Sequence, residues 1–163
     1  WPGTDPGWTD VLGVIPSLLH PVSRGTLDVV SADPLVAPRI DPGFLTDSRD
    51  VDNLVAAVKI ARDVMRQPSL DRWRGVEVAP GPSITTDAAI AEYVRASATT
   101  FQHVAGTCRM GSDATAVVDP QLRVRGVEHL RVIDASVMPD LVSGNINACV
   151  LMIAERAADL LRA

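Results

Sequence analysis

The chain of 163 residues has little of three things that often reveal a class of protein: cysteine, aromatic residues and long apolar runs. Its two cysteines, Cys108 and Cys149, are too few for a disulfide framework or a structural zinc site. Aromatic residues make up only 4% of the composition, whereas there are 11 glycines and 12 prolines. We therefore expect many turns, and a core that depends on a larger body to be complete.

No apolar stretch approaches the ~20 residues of a membrane-spanning helix, since the richest one covers only residues 148–154. The net charge of −5 leaves no basic patch to meet phosphates, so nucleic acid is not an expected partner. The first residue is Trp1 and not Met, from which we expect that the sequence is an excised or processed piece. Because no export signal is visible, we expect a cytoplasmic protein.

Local patterns in the first hundred residues predict both strands and helices. Glycine and proline mark residues 1–10 as a loop, and apolar residues predict strands at 11–19 and 26–30 that pair as an antiparallel hairpin. Prolines at 34, 38 and 42 then predict an extended, irregular path. Apolar residues at helical spacing predict one helix over 51–65, with Asp47 as its N-cap, and another over 87–98.

The periodicity of the sequence changes near residue 100. Residues 102–111 have neither helical nor strand periodicity, and short strands are predicted at 117–118 and 130–133. A final helix is predicted over 145–161, and its first half is apolar on nearly every side, which is typical of a buried helix. The sequence thus predicts an α+β chain in two portions, residues 1–101 and 102–163.

One histidine stands apart as a candidate for chemistry. His103 lies in a loop bordered by Gly106 and Gly111, and such loops are where rigid scaffolds place reactive side chains. A general base, a metal ligand and an ordinary loop residue all remain open for it from spacing alone. His20 and His129 are predicted to be ordinary surface or loop residues.

Most common catalytic and cofactor motifs are missing. The chain has no His-Glu-x-x-His or Cys-x-x-Cys pair, so no metal site is predicted. It also has no Gly-x-Ser-x-Gly turn, no phosphate loop and no Gly-x-Gly-x-x-Gly fingerprint. A nucleophile mechanism through Cys108 is weak because no third partner is evident.

A second candidate constellation runs from Arg131 to Ala148. It consists of a predicted strand, a turn carrying Asp134, a proline loop and the start of the last helix. Ser143 or Asn145 can serve simply as an N-cap, and spacing alone favours this interpretation. The alternative is that the helix N-terminus stabilises an anion through its free N–H groups.

Taken together, these segments resemble the C-terminal region of the glucose–methanol–choline (GMC) family of FAD-dependent oxidoreductases. Each motif is weak alone, but their order and spacing are strongly specific, and the resemblance covers nearly the whole chain. The motifs are Ser23-Arg24-Gly25-Thr26, Asp33-Pro34, Ile40-Asp41-Pro42, His103 with Gly106-Thr107-Cys108-Arg109-Met110-Gly111, Val118-Asp119, Leu130 through Pro139, Gly144-Asn145-Ile146-Asn147-Ala148 and Ile153-Ala154-Glu155.

The resemblance implies a two-domain flavoenzyme with a Rossmann-like FAD domain and a substrate domain built on an antiparallel sheet. Residues 1–101 would be part of the substrate-binding domain, and residues 102–163 would supply the active-site loop, a strand and the buried helix that returns to the FAD domain. The dinucleotide fingerprint of the family lies in an N-terminal portion that this chain lacks. The chain alone is therefore expected to be inactive.

The resemblance also implies roles for individual residues. His103 and Asn145 match the two active-site positions of the family. The FAD-binding positions would be Asp134, Ala135, Asn147 and Ala148, the backbone N–H of Asn147 reaching the flavin pyrimidine edge. One departure is Gln102, which stands where an aromatic residue is common and puts the shape of the pocket in doubt.

The implied reaction is oxidation of a small-molecule alcohol. A histidine would remove the hydroxyl proton, and a hydride would pass from the alcohol carbon to flavin N5. The sequence names neither the alcohol nor the electron acceptor. The competing hypothesis is a catalytically silent remnant that acts as a structural or binding module.

Overall fold

A computed structural model describes residues 11–162, so the predicted loop over residues 1–10 lies outside the described residues. The described chain divides into two compact units. The first comprises residues 11–24 and 43–99, and the second comprises residues 25–42 and 100–162. The division between a substrate-domain portion and a flavin-side portion at residues 101 and 102 stays a prediction.

Two helices form the core of the first unit. Helix α1 (Ser48–Met65) begins at the predicted N-cap Asp47, whose carboxylate accepts the Arg49 N–H. Helix α2 (Asp87–Ser97) begins at Thr86, whose hydroxyl accepts the Ala89 N–H. Both helices were predicted from periodicity, and their apolar faces pack against each other. Their buried residues are Val51, Val55, Val58, Ile90 and Val94.

A buried carboxylate attaches an irregular segment to the first turn of α1. Asp50 is fully buried, and its two oxygens accept the backbone N–H groups of Val22 and Ser23, each at 2.8 Å. The Ser23 hydroxyl in turn accepts the Asp47 N–H at 3.0 Å. Residues 11–18 have no regular structure, so the predicted strand over 11–19 is wrong. A proline at position 16 cannot donate to a strand ladder.

The small sheet belongs to the second unit and pairs differently from the prediction. Strand β1 (Thr26–Asp28) pairs antiparallel with strand β2 (Arg39–Asp41), in the register Leu27 opposite Ile40. The predicted hairpin partner, residues 11–19, is therefore wrong, and the proline-rich path folds back to supply β2 instead. Gly25 lies directly against the backbone of residues 41 and 42, so a side chain there would collide with it. This close approach explains why position 25 requires a residue without a side chain.

The rest of the second unit consists of bridged loops packed on one helix. Isolated β-bridges join Met110 to Val118 and Val118 to Val124. The predicted strand over 117–118 is thus reduced to these two bridges at Val118, and the predicted strand over 130–133 is reduced to one bridge between Arg131 and Arg123. These segments pair through single residues because turns interrupt them before a ladder can extend.

Helix α3 (Asn147–Arg162) ends the described chain. It begins two residues later than predicted. Within the described residues its apolar surface is covered on one side, because Ile153 and Ala157 are buried whereas Leu151 and Met152 are 60% and 59% exposed. Burial of its other sides by a larger body stays a prediction. Among residues 11–162, no helix is long and apolar enough to cross a membrane.

Candidate active site

One apolar cluster in the second unit anchors all three segments that carry the predicted site residues. Ala105 follows His103 by two positions, Ala135 follows Asp134 directly, and Ile146 stands between the two asparagines. Since each of these apolar residues packs in the same cluster, the three segments that carry the site residues share a common base. The buried members of the cluster are Val118, Leu122, Val137, Met138, Ile146, Ile153 and Ala157, and Ala105 and Ala135 pack against it.

The backbone before His103 takes a sharp turn. Gln102 has a φ of 63°, in the left-handed region that side chains other than glycine seldom adopt. Its N–H donates to the Thr100 hydroxyl at 2.8 Å, which holds the turn. His103 is half-buried, while Phe101 and Val104 on either side are exposed. The left-handed turn at Gln102 therefore sets the direction in which the chain enters His103.

The segment after His103 is tied to the segment that follows Asp134. The Gly106 N–H donates to the Ala135 carbonyl at 3.4 Å, the Cys108 N–H to the Ser136 carbonyl at 2.9 Å and the Met110 N–H to the Val137 carbonyl at 2.8 Å. Gly106 has a φ of 92°, and a side chain there would lie 3.4 Å from the Met138 carbonyl oxygen. The paired segments give the histidine loop a fixed register.

Asp134 organises the turn that it begins. One of its oxygens accepts the Ser136 N–H at 2.7 Å and so caps a single 3-10 turn over Ala135–Val137. The Asp134 side chain is exposed, whereas Val137, at the end of the turn, is completely buried. The turn therefore has one face in the core and presents its carboxylate outward, where a hydroxyl or N–H of a bound group can reach it.

The start of helix α3 brings Asn145, Asn147 and Ala148 together at its N-terminal end. The Val150 N–H donates to the Ile146 carbonyl at 3.0 Å, so the intrahelical bonds begin at Ile146. The N–H groups of the first turn have no carbonyl acceptor within the helix and give this end partial positive charge. Asn145, Asn147 and Ala148 are all exposed, and Ile146 is buried. Asn145 lies two residues before the helix begins at Asn147.

An ion-paired loop adjoins the histidine segment, and the sequence analysis did not predict it. The Arg109 guanidinium donates to both oxygens of Asp113, at 3.0 and 2.8 Å, and to the Thr115 hydroxyl at 2.6 Å. Hydrogen bonds from the Arg109 and Thr115 side chains hold the pKa of the Asp113 carboxyl well below its usual range. An arginine and an aspartate four residues apart within a glycine-bordered loop were the available signal.

The described residues offer no metal centre. Over residues 11–162, no three His, Cys, Asp or Glu side chains come together in a way that could hold a metal ion. The three site segments instead present an imidazole, an amide, a carboxylate and a helix N-terminus. These groups suit proton transfer, hydrogen bonding and stabilisation of a negative charge.

Comparison with known proteins identifies the class first. A curated alcohol dehydrogenase (acceptor) of Pseudomonas putida is 46% identical over 143 residues, which cover 88% of this chain and 26% of the relative. The human mitochondrial choline dehydrogenase is 48% identical over 142 residues, which cover 86% of this chain and 24% of the relative. The relatives are oxidoreductases.

A solved structure supports the same class through its backbone. The FAD-dependent oxidoreductase of Chaetomium thermophilum superposes with a TM-score of 0.84 at 35% sequence identity, over 88% of this chain and 25% of that protein. The sequence model that describes GMC oxidoreductases matches residues 21–154. This chain belongs to the GMC oxidoreductase family and corresponds to its C-terminal region. It spans about a quarter of the length of the curated relatives it matches.

Proposed function

We propose that the protein containing this chain is an FAD-dependent alcohol oxidoreductase, in which His103 removes the hydroxyl proton and a hydride leaves the alcohol carbon. The observation that carries the proposal is that the segments bearing His103, Asp134 and Asn145 pack on one apolar cluster through the neighbouring residues Ala105, Ala135 and Ile146. Membership of the GMC family supports the oxidoreductase class. It does not favour the alternative of a catalytically silent module.

The residues of the second unit fit one end of FAD. The exposed first turn of α3 offers N–H donors from Asn147 and Ala148, which suit the edge of a ring system that gains negative charge. The outward carboxylate of Asp134 suits a hydroxyl donor. No glycine-rich turn for a pyrophosphate exists anywhere in the sequence. The chain thus fits the flavin end, and the phosphate end belongs to residues elsewhere in a longer protein.

Each polar group then has a defined task. When bound, FAD supplies the acceptor for the hydride that leaves the alcohol carbon. His103 takes the hydroxyl proton onto an imidazole nitrogen, and the alcohol becomes a carbonyl compound. Asn145 donates its side-chain amide N–H to the substrate oxygen and fixes its direction. The N-terminus of α3 stabilises negative charge on the nearby ring edge, which favours hydride departure.

The substrate class is a small primary or secondary alcohol. The relatives are named for alcohol and for choline, and an exposed asparagine with a half-buried histidine suits a single hydroxyl group. The three anchored segments, residues 103–105, 134–135 and 145–148, carry one carboxylate, that of Asp134. Because these segments offer no other charged group to recognise a substrate, we assign substrate preference to the part of the longer protein that lies over His103.

The test is flavin reduction by an alcohol in the intact, FAD-loaded protein, followed without oxygen by stopped-flow absorbance. We expect His103→Ala to slow reduction by roughly 10² or more, because it removes the proton acceptor. His129→Ala is the matched control, since His129 is exposed and lies in a turn of the same unit. A loss of less than threefold in His103→Ala would reject the assignment.

A further inference from the structure

We propose that Arg109 is a positioning residue for the proposed reaction. Through its two-pronged contact with Asp113, Arg109 holds the register of residues 106–110 and thereby the placement of His103. The proposal rests on the proposed function, because a position matters for catalysis only if the histidine acts. Arg109 itself is not assigned any contact with substrate or cofactor.

The contact is a closed network of five hydrogen bonds. Arg109 donates through two nitrogens to the two oxygens of Asp113, and one of these nitrogens also reaches the Thr115 hydroxyl. Thr115 donates to the same Asp113 oxygen through its N–H at 3.1 Å and through its hydroxyl at 2.6 Å. A planar guanidinium matches this fork, whereas a lysine ammonium is a point charge that cannot make both contacts in one plane.

A glycine keeps the space that the network needs. A side-chain carbon at Gly111 would lie 2.8 Å from an Asp113 oxygen and 3.0 Å from an Arg109 nitrogen. The backbone of Gly111 is also used, because its N–H donates to the Val118 carbonyl at 3.1 Å and its carbonyl accepts from the Arg125 side chain at 2.8 Å. The absence of a side chain at position 111 is thus coupled to the ion pair.

The backbone of Arg109 lies at the junction of two pairings. Its carbonyl accepts the N–H groups of Val117 and Val118, at 3.0 and 3.4 Å. The residues on either side, Cys108 and Met110, donate to the carbonyls of Ser136 and Val137. A shift at Arg109 therefore moves the segment that pairs with the Asp134 turn, and this segment leads back through Gly106 and Ala105 to His103.

The expected effect falls on rate and not on stability. The side chains of Arg109 and Asp113 are 34% and 53% exposed, and exposed ion pairs add little to folding free energy. A catalytic group displaced by about 1 Å can nevertheless cost up to 10²-fold in rate, because the reacting atoms lose their alignment. A rate loss without a stability loss therefore separates positioning from general support of the fold.

The test uses Arg109→Lys in the intact, FAD-loaded protein, with rates normalised to flavin content. We expect flavin reduction at saturating alcohol to slow roughly tenfold. The alcohol concentration that gives the half-maximal rate should change less than twofold. Amide hydrogen exchange across residues 103–111 should become faster. Asp113→Asn should behave alike, and the double variant should be no more than twofold slower than either single variant. Thr115→Val, which removes only a hydroxyl, gives a milder version should Arg109→Lys not fold.

Arg123→Lys is the control, since Arg123 pairs with Asp119 at the same four-residue separation in the same unit. The hydrogen bonds of its side chain go to Asp119 and Gln121, outside residues 103–111. A reduction rate for Arg109→Lys within twofold of the wild type overturns the proposal while leaving the function intact, provided that His103→Ala is slow. If His103→Ala loses less than threefold, the proposed function fails and the positioning proposal fails with it.

Discussion

The carboxylate of Asp50, in the first turn of α1, accepts the backbone N–H groups of Val22 and Ser23 at 2.8 Å each. Asp50 is completely buried, and among residues 11–162 its carboxylate is held by hydrogen bonds from Val22 and Ser23 and not by an arginine or lysine. Two backbone N–H donors therefore satisfy this charge, as they do at a helix N-terminus. The contact fixes residues 22–23 on α1 across 28 positions of sequence.

Asp50→Asn is expected to lower the free energy of unfolding of the intact protein by about 2 kcal/mol. The amide keeps the shape but presents an NH2 group to one of two backbone donors, so a charge-assisted bond is lost and a buried N–H is left unpaired. Asp52→Asn is the matched control on the same helix, because Asp52 is exposed. Urea unfolding measures both variants. Equal effects of the two substitutions would contradict the anchoring role.

Stability should also depend on pH through Asp50. Burial raises the pKa of this carboxyl, but the hydrogen bonds from Ser23 and Val22 outweigh burial, so the pKa lies below its usual value. A lowered folded-state pKa contributes stability that is present above the unfolded pKa of about 3.9 and is lost as pH falls through the folded pKa. Unfolding free energies should therefore decline below about pH 4, and Asp50→Asn should reduce that decline. An identical decline in the variant would refute the linkage.

Because Gln102 has a left-handed backbone conformation, we expect position 102 to tolerate substitution by glycine. Gln102→Gly should change the free energy of unfolding by less than about 1 kcal/mol, because relief of backbone strain offsets the greater freedom of the unfolded chain. Gln102→Val should cost about 1–2 kcal/mol more than Gln102→Gly, since a β-branched residue resists a φ of 63°. Gln67→Val is the control, because Gln67 has an extended backbone with φ −63° and ψ 137°. Thermal unfolding distinguishes the variants, and indifference to valine at 102 would count against strain.

Charge at the start of α3 should affect the midpoint potential of the proposed flavin. Asn145→Asp is expected to lower the midpoint potential of the intact, FAD-loaded protein, because a second anion opposes negative charge on the reduced ring. Asn145→Ala should slow flavin reduction without that shift, since it removes only the hydrogen bond to substrate. Asn53→Asp, exposed on α1, provides the charge-matched control. An unchanged or higher potential in Asn145→Asp, by potentiometric titration, would contradict this placement.

Local signals predicted the helices well because caps and periodicity act within a few residues. Asp47 is a cap that the sequence indicated, and both helices lie where the spacing of their apolar residues predicted them. The sheet was predicted with the wrong partner for β1, because pairing with residues 39–41 depends on a return of the chain that proline-rich sequence does not specify. The burial of Asp50 was equally invisible, since a first-turn aspartate is ordinarily a solvated cap.

For the candidate site too, some features follow from the sequence and others only from the tertiary structure. The sequence by itself determined which residues are candidates for proton transfer and hydrogen bonding. His103, Asn145 and the Asp134 segment were identified by residue type, glycine-bordered spacing and family resemblance. Only the tertiary structure decided that Ala105, Ala135 and Ile146 share one apolar cluster and that Arg109 reaches both Asp113 and Thr115. The physical reason is that side-chain type and local periodicity are encoded residue by residue, whereas contacts between distant segments depend on packing of the whole chain.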